Sequence, residues 1–148
     1  MSGLLEGRTA IITGSGRGIG RATAELFAHH GAQVVVSDID PEPAAQAVEA
    51  ILTAGGQAIS VPGDATDRAF PDRLINAAIE RFGGLDIIVN NAGYTWDAVI
   101  HKMTDEQWHD VIRVNLTALF YTTRAAARLM KERKSGSIVN VSSGAGQK

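Results

Sequence analysis

The amino-acid sequence predicts a doubly wound α/β fold, a parallel sheet with right-handed crossovers and helices on both faces. Three observations carry that expectation. Short runs rich in Val and Ile are apolar at consecutive positions, as strands covered on both faces must be. Longer stretches with helical spacing alternate with them along the chain. A glycine-rich turn joins the first run to the first helix. An all-α reading would force the β-branched runs into helices, against their side-chain preferences.

Thr9 to Thr13 (Thr-Ala-Ile-Ile-Thr) reads as the first strand. Gln33 to Ser37, Ala58 to Val61, Asp86 to Asn90 and Ser137 to Ser142 read as the others. The first helix, Ile19 to His30, places Ile19, Ala22, Leu26 and Phe27 at helical spacing, and Gly31 supplies its stop. Asp40 is the expected N-cap of a second helix that has Pro41 at its first position and ends near Gly55-Gly56. A third begins near Pro71, because a deeper proline would lose a backbone bond. It carries Leu74, Ile75, Ala78, Ile79 and Phe82 and stops at Gly83-Gly84. Thr104 with Gln107 forms a capping-box pattern that opens helical sequence to about Arg133. Lys131, Arg133 and Lys134 suit the negative end of that helix.

The 148 residues, 45% hydrophobic and 20% charged, suffice for one domain spanning 1–148 with a single core. The net charge of −2 is spread without a basic or acidic block, so neither nucleic acid nor an anionic membrane is an expected partner. Absent cysteines exclude disulfides, thiolate catalysis and sulfur-ligated metals, and the four histidines lack metal-ligand spacing. Met1 to Arg8 has neither the basic nor the apolar region of a signal peptide. No apolar run reaches the ~18 residues of a bilayer span. A cytoplasmic location is expected.

Gly14, Gly18 and Gly20 lie between the first strand and the first helix, in the pattern Thr-Gly-x-x-x-Gly-x-Gly. Such a turn reverses sharply, lets backbone approach a pyrophosphate and leads into a helix N-terminus with unpaired N–H groups. Ser15, Arg17 and Ile19 belong to the same loop. Asp38 ends the second strand, 18 residues after Gly20, where a carboxylate can accept hydrogen bonds from the adenosine ribose. A carboxylate there repels a 2′-phosphate, which favours NAD. Arg17 keeps NADP possible, because a guanidinium pairs well with phosphate.

With Thr13-Gly14-Ser15-Gly16-Arg17-Gly18-Ile19-Gly20, Asn90-Asn91-Ala92-Gly93, Asn115 and Ser142-Ser143 in that order, the sequence resembles the short-chain dehydrogenase/reductase family. The wording around Gly136 to Ser143 looks closest to its 3-oxoacyl-carrier-protein reductase and polyol or steroid dehydrogenase branches. The resemblance implies a Rossmann-type domain, incomplete on its C-terminal side, that moves hydride between NAD or NADP and a small carbonyl or alcohol substrate. It implies that Asp64 and the backbone of Ala65 face the adenine, and that Asn91, Ala92 and Gly93 lie beside the cofactor's ribose. It implies that Asn115 holds a water of a proton relay, and that Ser143, or less favourably Ser142, donates to the substrate oxygen. Read from residues alone, Asn115 is equally a local kink and Asn90 to Gly93 a turn. Trp96 and His101 are either substrate contacts or surface packing.

The family pattern also has a Tyr-x-x-x-Lys pair beyond the serine, and the sequence reaches Lys148 before either residue. These 148 residues are therefore expected to be inactive in isolation. A catalytically dead dinucleotide-binding module is the alternative, and a methyltransferase, which also uses a glycine-rich first turn, the more distant one. The fifth strand is expected to be a sheet edge and the stripe Val111, Val114, Leu119 and Ala126 to be partly exposed. The resemblance implies a homodimer or homotetramer through that helix.

Overall fold

A computed structural model describes residues 3–144. Five strands, β1 (Thr9–Thr13), β2 (Gln33–Ser37), β3 (Gln57–Ser60), β4 (Ile87–Asn90) and β5 (Ser137–Asn140), form one parallel sheet in the order β3-β2-β1-β4-β5. The crossover from β3 to β4 passes to the other side of β1. The carboxyl ends of β1, β2 and β4 therefore surround a topological switch point.

Alternate residues of each central strand serve opposite faces. Ile12, Val34, Val36 and Val89 pack against α1 (Gly18–His29) and α2 (Pro41–Thr53). Ile11, Val35 and Ile88 pack against α3 (Phe70–Phe82) and α5 (Ala118–Arg133). Every residue of β1 is buried, which is why its sequence reads as continuously apolar.

Several local signals act as expected. Pro41 and Pro71 stand in the first turns of α2 and α3, and Gly83 ends α3 in the left-handed region at φ 83°. Thr104 and Gln107 complete both halves of a capping box that opens α4 (Asp105–Ile112). The helical run to Arg133 is not uniform, however. A π-helical segment, Arg113–Thr117, separates α4 from α5. The fifth strand stops two residues short of Ser142. Val141 N–H donates to the Asn90 carbonyl at 3.0 Å, and β4 itself ends at Asn90.

The buried stripe of α1 is not the expected one. Ile19 is 73% exposed and Leu26 55%, while Gly20, Ala24 and Ala28 face the sheet, with Phe27 partly buried. Small residues at every fourth position let this helix lie close to β1, and the larger side chains beside them turn outward. Of the expected stripe on the later helix, Ala126 is fully buried and Val111, Val114 and Leu119 are half-buried.

Among the described residues, no helix is long and apolar enough to cross a membrane.

Candidate functional site

A cleft of about 510 Å³ opens at the switch point. Gly14 and Arg17 form one wall with Asp38 and Ile39, Gly63 to Thr66 form the second, and Asn91 to Tyr94 the third. Asp110, Arg113 and Val114 close the rim. Gly14, Arg17, Asp38, Asp64, Ala65, Asn91, Ala92 and Gly93, far apart in sequence, thus share one concavity. Ser15, Gly18, Ile19, Gly20, Asn115 and Ser143 do not line it.

The glycine turn is held from three sides. Asn91 Nδ2 donates to the carbonyls of Thr13 and Gly14, both at 3.0 Å. A Cβ on Gly20 would overlap the Gly14 carbonyl oxygen and come within 2.5 Å of that Asn91 nitrogen, so this contact requires glycine. Gly14, at φ +62°, approaches Ala92 so closely that a Cβ would lie 2.9 Å from its Cα. Thr13, the first residue of the glycine-rich motif, joins the two segments. Its Oγ1 accepts from Asn91 N–H at 3.1 Å and Ala92 N–H at 3.0 Å.

Ser15 is fully buried, and its hydroxyl donates to the Ile12 carbonyl at 2.6 Å while accepting from Ser37 N–H at 3.1 Å. Its side chain thus fastens the turn to β2. Beyond the turn, α1 starts at Arg17 with no side-chain cap, in contrast to the fully capped α4. Its first-turn N–H groups form a positive pole beside the cleft.

Asp38 is only 8% exposed. Its Oδ2 accepts from Gly16 N–H at 2.9 Å and its Oδ1 from Asp40 N–H at 3.1 Å. Those bonds fix the carboxylate at the cleft wall. Asp40 occupies the N-cap position of α2, yet its carboxylate makes no cap bond and instead pairs with Arg17 at 2.7 Å. The expected capping role therefore falls to backbone position alone, because the nearby guanidinium is a stronger partner than a helix N–H.

On the second wall, Asp64 Oδ1 accepts from the backbone N–H and the hydroxyl of Thr66, at 2.8 and 2.7 Å. Arg113 spans the rim, donating to Thr66 Oγ1 at 3.2 Å and Asp110 Oδ1 at 2.9 Å. Sequence reasoning missed this tie, which nothing but the fold brings together.

Asn115 lies within the π-helical segment. Its Nδ2 donates to the carbonyls of Tyr94 at 2.7 Å and Val111 at 2.9 Å, and its Oδ1 accepts from Tyr94 N–H at 3.3 Å. The side chain therefore grips the loop after β4, and a Cβ on Gly93 would lie 2.7 Å from its Oδ1. Beneath it, Asn90 is buried between strands and helix. Its Nδ2 donates to Asn140 Oδ1 at 2.9 Å and Thr123 Oγ1 at 3.1 Å, and its Oδ1 accepts from Thr122. Ser143 follows β5, exposed, at the carboxyl side of the sheet. Trp96 is 39% exposed, and His101 lies in an exposed 3₁₀ turn; neither lines the cleft.

Tyr94 lines the cleft, and its phenol titrates above the ordinary 10.0. Loss of water around the ring is the main cause; the carboxylate of Asp110, and more weakly that of Glu106, add to it against Arg113. It stays protonated at neutral pH.

Comparison with known proteins gives the family. The short chain dehydrogenase family model matches residues 8–148. An uncharacterized oxidoreductase of Mycobacterium bovis is 46% identical over 149 residues, covering 99% of this chain and 59% of its relative. A 3-oxoacyl-[acyl-carrier-protein] reductase of Synechocystis is 42% identical, with 96% and 58% covered. The crystal structure of a short chain dehydrogenase from Mycobacterium avium superposes with a TM-score of 0.91 at 40% identity, over 97% of this chain and 55% of that one. The chain thus spans somewhat over half the length of these relatives.

Proposed function

The chain belongs to the short-chain dehydrogenase family of oxidoreductases, and from that premise we propose that its cleft binds a nicotinamide dinucleotide, NAD in preference to NADP. One observation carries the reading. Glycine backbone, an uncapped helix start and a fixed carboxylate converge on one concavity at the switch point. The cradle fits the group, since Cβ atoms at Gly14 and Gly20 would fill the contacts that shape it. The N–H groups from Gly18 to Gly20 would receive the pyrophosphate. Asp38 would accept from the adenosine ribose hydroxyls, Asp64 and Ala65 would flank the adenine, and Asn91 to Gly93 would border the second ribose.

When bound, the nicotinamide supplies or takes up a hydride. The chain's own contribution to a carbonyl or alcohol substrate falls to Asn115 and Ser143. Asn115 orders the loop through Tyr94 and would hold a relayed water. The hydroxyl of Ser143 would donate to the substrate oxygen. The proton donor itself is assigned to the family's Tyr-x-x-x-Lys pair, which is not among the 148 residues. Tyr94 does not replace it, because its raised pKa keeps the phenol a poor base near neutrality. In the whole protein we place the reaction in the cytoplasm, in a homodimer or homotetramer, with a small carbonyl or alcohol as substrate.

A hydride-transfer assay tests the division of labour. The 148-residue chain should bind the dinucleotide and give no turnover with NADH and a small ketone. Turnover would show that the missing pair is not essential and would overturn the assignment.

A further inference from the structure

Two guanidinium groups line the cleft, Arg17 and Arg113, and each already faces a carboxylate at short range. Arg113 is held by Asp110 at 2.9 Å and Arg17 by Asp40 at 2.7 Å. The Arg17 pair lies beside Asp38, at the place where the 2′-position of an adenosine ribose would sit. The same short turn sets both acids, since Asp38 Oδ1 accepts from Asp40 N–H and so fixes where the Asp40 carboxylate starts. Arg17 is 64% exposed and long enough to adopt another direction if released.

We propose that Asp40 is a second determinant of cofactor choice. It acts by occupying Arg17, the cation best placed to receive a 2′-phosphate. Asp38 repels that phosphate directly, whereas Asp40 removes its compensating partner. The chain's preference for NAD then rests on two carboxylates with different jobs. The inference depends on the dinucleotide reading above and adds to it a residue that neither the glycine turn nor the end of β2 identifies.

Asp40→Ala tests this, because its carboxylate makes no cap bond and α2 keeps its first turn. Calorimetric titration with NAD and NADP, on the wild type, Asp40→Ala, Arg17→Ala and the double variant, reads the outcome. Asp40→Ala should tighten NADP binding by about fivefold relative to NAD, the order of one exposed ion pair released for phosphate. That gain should vanish in the double variant. An unchanged NADP-to-NAD ratio in Asp40→Ala, or a gain that survives Arg17→Ala, overturns the proposal while leaving NAD binding in place. A folded wild-type chain that binds neither cofactor overturns the dinucleotide reading and this inference with it.

Discussion

The centre of the sheet and its β5 edge are built to different standards. All five residues of β1 are buried, and the turn that follows it is fixed by Ser15, Thr13 and Asn91. All four residues of β5 are exposed, with Ile138 at 36% and Val139 at 46%, and among the described residues no strand pairs with its outer edge. On the proposed cofactor side, polar groups are thus satisfied by one another inside the fold. The proposed reaction side places Asn115 and Ser143 on open surface. The proposed binding side is thus internally bonded, whereas Asn115 and Ser143 stand on exposed surface.

The comparison breaks most decisively at Gly20. Gly20→Val would drive a branched side chain into the Gly14 carbonyl, destabilising the chain by about 3 kcal/mol and abolishing dinucleotide binding. Urea denaturation followed by circular dichroism reads the first effect, and a loss below 1 kcal/mol would mean the turn is more pliant than described. Asn90→Ala comes next, since it removes a buried amide that bonds Asn140, Thr123 and Thr122 together. It should lower stability by about 2 kcal/mol, and a neutral result would show that the centre and the β5 edge are not joined through this residue.

On the open edge the expectation reverses. Val139→Lys should change stability by no more than about 0.5 kcal/mol, because the site is a half-exposed edge. It should also reduce self-association of the chain in light scattering, since an edge lysine discourages strand-to-strand pairing. If the unaltered chain is already a monodisperse monomer, the contrast between the centre and the edge is overstated.

The smallest effect concerns Tyr94. Its pKa is raised, so the folded state favours the neutral phenol. The stability this lends is complete below the unfolded value near 10.0 and is lost as pH climbs through the higher folded value. Tyrosinate absorbance of the wild type minus Tyr94→Phe should show Tyr94 ionising above 10.0, and a difference curve centred below it would contradict the assigned surroundings.

Much of this was legible in the residues. Thr9 to Thr13 and Gln33 to Ser37 were bounded to the residue, because buried parallel strands and the glycine and helix signals beside them leave little freedom. The capping box at Thr104 and the stop at Gly83 are local devices, and local chemistry specifies them. What escaped was decided by contacts across the chain. The inward face of α1 was missed because hydrophobicity pointed to Ile19 and Leu26. The usable signal was the small trio Gly20, Ala24 and Ala28 at every fourth position. Asp40 was read as a cap because nothing in its neighbourhood reveals that Arg17, 23 residues away, reaches it first. The gathering of Gly14, Asp38, Asp64 and Asn91 about one cleft was implied by the glycine turn, the end of β2 and the family resemblance, whereas periodicity alone does not specify the strand order behind it. The π-helical segment at Asn115 and the tie from Arg113 to Thr66 depend on the same long-range packing.

The central claim is that the cleft at the ends of β1, β2 and β4 holds a nicotinamide dinucleotide. Isothermal titration calorimetry of the folded chain with NAD tests it directly, with Asp38→Ala and S-adenosylmethionine as controls. The account predicts saturable one-to-one NAD binding, weakened about tenfold or more by Asp38→Ala as the ribose loses a charged acceptor, and no heat with S-adenosylmethionine. A folded chain that ignores NAD, or binds it equally well without the Asp38 carboxylate, would contradict it.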